Sequence, residues 1–247
     1  AVLALSASLL VGCSSGTASS VPVSASSAAE STVSSVEETA SSAVDENEAA
    51  AAQLLNDLTG SYQELWPVIL ADEYKQTWLD DCTALVGEEN AEAAFEKLSS
   101  MVTSDVYGED AVEAYANGGG AYFCGFTNSL ATLTFDGETS TISGTDKDGN
   151  VLFSHTYHYI GMEPVHGLYE FESDDADSGE FTYFFLAPDT SAETYHIEFR
   201  YGSDAEALSQ YDAGEYAYWV ASGISTDCDQ TMIDNCIELF CTENLAG

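Results

Sequence analysis

The sequence predicts a mainly β domain: an antiparallel β-barrel with helices added at its N-terminal and C-terminal ends. Three observations predict it. Beyond residue 120 the apolar residues recur with a period of two, as in half-buried strands. Turn signals punctuate that pattern at Asp136-Gly137, at Asp148-Gly149-Asn150 and from Asp174 to Gly179. No helical period separates the successive strands, so they pair with one another directly. That favours an antiparallel barrel over a parallel sheet.

Residues 1–12 are small and apolar and end Leu10-Val11-Gly12 before Cys13. This resembles the bacterial lipoprotein signal, an apolar segment followed by a lipobox. The segment is too short to span a bilayer. The charged n-region is absent, so the start of the precursor is expected upstream. Cleavage is expected before Cys13, which then carries the lipid. Residues 13–51 form the lipidated Cys and a tether of Ser, Ala, Val, Thr and Glu without a sustained apolar period. Such a composition buries too little surface to offset chain entropy, and the tether is expected to be disordered. Residues 52–247 are expected to form one domain. The lipoprotein signal implies that it lies outside the cytoplasm, held to a membrane only through the lipid on Cys13.

The first half of that domain reads as helical. Tyr62, Leu65, Trp66 and Ile69 recur at helical spacing, with Pro67 set to bend or end the helix. Further helices are expected at 72–86, 89–102 and 109–117. Ala91, Ala94, Phe95, Leu98 and Val102 make one apolar stripe. Gly118-Gly119-Gly120 breaks the pattern and lacks the Lys-Ser/Thr of a phosphate loop. Strands are expected at 121–127, 130–135, 139–144, 150–160, 167–173, 180–187 and 193–202. Two helices close the chain, 204–211 and 229–242, the last burying Met232, Ile233, Cys236, Ile237 and Phe240.

Four stretches, in order, resemble the ZinT-type zinc-binding proteins, a family also found as the C-terminal domain of AdcA-type lipoproteins. They are Gly60 to Pro67, Tyr157-His158-Tyr159-Ile160-Gly161, Gly167 to Glu172, and Ala187-Pro188 with Tyr195-His196, Phe199, Gly202-Ser203-Asp204 and Leu208. The resemblance covers about 58 to 245. It implies a calycin-like, lipocalin-type barrel that captures zinc outside the cytoplasm, without catalysis, for an ABC-type importer. The family holds zinc with three His. His196 stands at one of those places. Thr194 replaces the first His of the His-x-His pair, and the third falls within Tyr183-Phe184-Phe185-Leu186.

The residues themselves offer a rebuilt site. On a strand, Thr194, His196, Glu198 and Arg200 share one face. An imidazole and a carboxylate two apart suit a divalent metal such as zinc. With His196 as an inherited ligand, this face is expected to point into the barrel mouth. Pairing with Arg200 is the alternative role for Glu198. The remaining His are His155, His158 and His166. Alternation puts His155 with Tyr157 and Tyr159 on one face and His158 on the other. The candidate metal ligands are therefore His196, Glu198, His155 and His166.

Four Lys plus Arg against 43 Asp plus Glu give a formal net charge of −39. Nucleic acid is repelled by such a chain. There is no Gly-x-Ser-x-Gly elbow and no His-Glu-x-x-His, so no enzyme class is indicated. The alternative is a metal-free calycin-like lipoprotein that binds a small apolar ligand or a protein partner. Beyond Cys13 lie Cys82, Cys124, Cys228, Cys236 and Cys241, without Cys-x-x-Cys spacing, and their pairing is open.

Overall fold

The computed structural model describes residues 46–187 and 196–246. Cys13, most of the expected tether, Thr194 and Tyr195 lie outside the described residues. Eight strands form one closed antiparallel barrel in simple sequence order. They are β1 (Gly60–Glu64), β2 (Thr132–Asp136), β3 (Thr141–Thr145), β4 (Val151–Met162), β5 (Tyr169–Ser173), β6 (Tyr183–Leu186), β7 (His196–Gly202) and β8 (Ala221–Ser225). Each pairs with the next, and β1 pairs with β8 to close the ring. The helices are α1 (46–57), α2 (Leu65–Ile69), α3 (Lys75–Val86), α4 (Glu88–Ser100), α5 (Glu109–Ala116), α6 (Ala205–Leu208) and α7 (Gln230–Leu245). The fold is thus the expected one, a mainly β barrel with helical additions.

Rings fill the barrel. Phe184 lies at 5.4 Å from Tyr157, 5.9 Å from Phe153 and 5.4 Å from Tyr201, centroid to centroid. Tyr62 meets Phe135 edge-on at 5.8 Å. All six are buried. Burying each such side chain contributes on the order of 1.5–3 kcal/mol. The interior is close-packed even against backbone: a Cβ on Gly144 of β3 would lie 2.4 Å from Leu130 and 2.5 Å from Phe153.

A second core lies outside the barrel, where α2, α3, α4 and α7 pack together. It holds Trp66, Trp78, Cys82, Leu98, Ile237 and Cys241 and reaches Ile224 of β8. Phe240 meets Trp66 at 4.7 Å and Trp78 at 6.0 Å. The Trp78 indole N–H donates to Ile69 O at 2.7 Å, which satisfies the polar atom of a fully buried ring.

The structure corrects two of the expected elements and adds one. Residues 60–64 are strand, not helix. Tyr62 faces the barrel core and is opposite Leu133 of β2. The helix starts only at Leu65, and Pro67 sits in its first turn, where a missing N–H costs nothing. Residues 121–127 are not a strand; only Phe123 makes isolated bridges, to Thr103 and Trp219. β8 was not expected at all. Its sequence, Ala-Ser-Gly-Ile-Ser, shows no alternation because both of its faces are covered. Strands β2 to β7 fall within or close to the expected spans. Helix α1 begins within the described residues at 46, and Ala51 is fully buried.

Candidate functional site

The two faces of β7 differ. Ile197, Phe199 and Tyr201 turn into the ring-filled interior. His196, Glu198 and Arg200 share the opposite face, as alternation requires. That face does not open into the barrel. Across the strand, His196 is opposite Ile224 and Glu198 is opposite Ser222. Ile224 belongs to the helical core, and the Ser222 N–H donates to Cys124 O at 3.0 Å. His196 is therefore on the outer wall, against the covering segments, and the expected barrel-mouth orientation is corrected. The reason is register: the bulky apolar residues of β7 occupy the odd positions and claim the interior.

Arg200 fixes the far end of that face. It is fully buried, and its guanidinium donates to the carbonyls of Leu208, Gln210 and Tyr216. It also stacks on the Tyr211 ring at 4.3 Å. A strand residue thereby pins the segment that follows α6. Its charge serves backbone carbonyls, which matches the planar fork of an Arg better than a Lys.

His166 lies in the turn after β4. Its ring packs on Tyr211 at 3.8 Å, and its Nδ1 is 3.6 Å from Glu163 Oε2. Glu163 is fully buried; its oxygens accept the backbone N–H groups of Val165 and His166 at 2.8 and 2.7 Å. Burial holds the His166 imidazole below the ordinary histidine range; Glu163 opposes this and Arg200 reinforces it. Tyr211 thus sits between His166 and Arg200. A fixed guanidinium beside this imidazole disfavours a second cation there.

His155 and His158 lie on opposite faces of β4, as alternation gives. His155 stacks on Phe153 at 6.0 Å, and its Nδ1 is 2.7 Å from Asp175 Oδ2. His158 is half exposed. Its Nδ1 is 2.8 Å from Asp174 Oδ1 and its Nε2 is 4.0 Å from Glu172 Oε2. Sequence reading missed Glu172, Asp174 and Asp175 as partners. The available signal was the Asp174-Asp175 pair in the turn after β5, which register brings beside β4.

In the barrel order β5 and β6 separate β4 from β7. The rebuilt set of His196, Glu198 and one His of this hairpin does not assemble: among the described residues no three His, Cys, Asp or Glu side chains converge as a metal ion needs. Elsewhere, a cleft of about 330 Å³ lies between α2 and the segments 102–104 and 123–125, lined by Glu64, Trp66, Leu70, Val102, Phe123 and Cys124.

No protein-family model matches the chain, and no curated protein matches it. Among solved structures it is similar to the Zn(II)-bound ZinT-like domain of Streptococcus pneumoniae AdcA. The identity is 15% and the TM-score 0.47, over 74% of this chain and 89% of that one. It is also similar to Zn(II)-bound AdcA from Streptococcus pneumoniae, at 14% identity and a TM-score of 0.44. There the match covers 76% of this chain and 35% of the other.

Proposed function

We propose that this chain is a non-catalytic, extracytoplasmic lipoprotein, anchored through Cys13, that captures zinc as cargo for an ABC-type importer. The observation that carries the reading is the pairing of imidazole with carboxylate, His155 with Asp175 and His158 with Asp174 and Glu172; His196 and Glu198 share one strand face. A carboxylate on one ring nitrogen fixes the tautomer and leaves the other nitrogen for a metal. Among the described residues no three such donors converge on one point, so water completes the shell and binding is weaker than at a three-His site. The net charge of −39 raises the local concentration of cations around such pairs.

Calorimetric titration of the purified chain with zinc tests this. Saturable binding is expected, with His196→Ala weakening it by about tenfold or more and His158→Ala weakening it less. Binding should fade as pH drops through the imidazole range, because protons compete for the nitrogens. Absence of saturable heat, or a His196→Ala variant that binds unchanged, overturns the zinc reading.

One observation favours a metal-free protein-binding role as the second reading. Ile160, Met162 and Val165 lie exposed along the end of β4 and the turn after it. Rings occupy the barrel interior, so the apolar-ligand form of this reading rests on the cleft beside α2.

A further inference from the structure

The helical core brings two thiols into contact. Cys82 of α3 and Cys241 of α7 are fully buried, and their Sγ atoms are 3.9 Å apart. Cys82 follows Trp78 by one helical turn, and Cys241 follows Ile237 by one turn. These four side chains share one apolar cluster where α3 packs on α7. Two further thiols are buried: Cys236 lies on α7 within the same cluster, and Cys124 is placed beside Trp66 and Ser222.

We propose that Cys82 and Cys241 form a disulfide when the chain folds in an oxidising compartment. A bond requires the sulfurs to close to about 2 Å, a shift within reach of side-chain rotation on two helices already packed together. Burial raises both thiols above the ordinary cysteine range, so neither is a ready nucleophile in the folded protein. The bond is made as α3 and α7 come together. The Cys82 thiolate attacks one sulfur of a small-molecule disulfide such as glutathione disulfide and releases one thiol. The Cys241 thiolate then attacks the Cys82 sulfur and releases the second. Two protein thiols are oxidised, one disulfide is reduced to two thiols, and the two cysteine protons end on those thiols.

The position makes the bond consequential. The two cysteines are 159 residues apart in sequence, and strands β2 to β8 lie between them. Closing so long a loop restricts the unfolded chain strongly. It also fastens the C-terminal helix to the helical layer that covers the outer wall of β8. The inference is independent of the metal reading.

The full chain can be refolded in a glutathione redox buffer, alkylated in denaturant without reductant, digested and mapped by mass spectrometry. The expected result is a peptide pair joining Cys82 to Cys241, lighter than the two reduced peptides by two hydrogens. Cys124→Ala should retain that pair. Reduction should lower the thermal midpoint by about 10 °C. Alkylation of both Cys82 and Cys241 before reduction, or Cys82 joined to any other cysteine, overturns the proposal. The mapping uses the unmutated chain, so it decides the matter even where a cysteine variant fails to fold.

Discussion

Strands β4 and β7 both alternate bulky apolar residues with polar ones, yet their polar faces meet opposite surroundings. On β4, Ser154, Thr156 and His158 are exposed. On β7, His196 and Glu198 are half-buried and Arg200 is fully buried. The inner faces are alike: Phe153 and Tyr157 from β4 meet Phe184, which also packs on Phe199 and Tyr201 of β7. The difference is what lies over the outside. Water covers much of β4, whereas the segment after α6 covers Arg200. Alternation says which residues share a face. It does not say what covers that face.

The strongest way to break the comparison is Arg200→Ala. Three backbone carbonyls would lose a charged donor inside the protein, at a cost on the order of 4 kcal/mol. Ser154→Ala on the exposed face of β4 should change stability by less than about 0.5 kcal/mol. Urea unfolding of both variants checks the pair, and a loss below about 1 kcal/mol for Arg200→Ala would show that the guanidinium is no anchor.

Phe184→Ala removes a ring shared by β4 and β7 on their common inner side. It should cost about 3 kcal/mol, because the surrounding rings cannot collapse fully into the space. An effect no larger than that of an exposed apolar residue such as Ile160→Ala would contradict a close-packed barrel.

Gly137→Ala probes a contact between helix and barrel. A Cβ there would lie 2.4 Å from the Asn56 Cα and 2.6 Å from the Leu55 carbonyl oxygen, both backbone atoms of α1. Backbone cannot swing aside as a side chain can, so a cost of about 2 kcal/mol is expected. Faster proteolysis within 46–57 would accompany it, and unchanged proteolysis and stability would mean that α1 does not dock there.

The covered end of the outer wall should also be sensitive to pH. Burial depresses the His166 pKa, so near pH 6 the unfolded chain binds more protons than the folded one at this site. Its contribution is complete above the unfolded value of about 6.5 and declines as pH falls below it. Burial raises the Glu170 carboxyl, which gives the opposite slope in the acidic range. The informative quantity is therefore the difference between wild type and His166→Gln. The variant's urea midpoint should fall less than that of wild type between about pH 7.5 and pH 5.5. Parallel profiles would place His166 in a solvent-like setting.

The smallest effect belongs to His158 on the open face of β4. His158→Ala should leave the urea midpoint within about 0.5 kcal/mol of wild type, since exposed pairs with carboxylates contribute little. A larger loss would mean that the Asp174 contact helps to hold the β5–β6 turn.

Six of the eight strands were legible in the sequence because each has a face toward rings and a face toward something polar, or a turn signal at its end. The two that escaped, β1 and β8, are the pair that close the barrel. Tyr62, Leu65, Trp66 and Ile69 mimic a helical repeat across a strand-to-helix junction. Ala221 to Ser225 lacks any period because small residues are packed on both sides. Of the candidate site, the opposition of His155 and His158 followed from a period of two. The carboxylates that hold them, Asp174 and Asp175, came from inter-strand register, which no local pattern encodes.

The sequence by itself determined the class of fold, strands β2 to β7 and which side chains share a strand face, because these depend on local geometry and apolar period. Only the tertiary structure decided that β1 meets β8, that the His196 face is an outer wall rather than a mouth, and that Cys82 touches Cys241. Each of those joins residues distant in the chain, and their contact depends on closure and packing of the whole domain rather than on any neighbour in sequence.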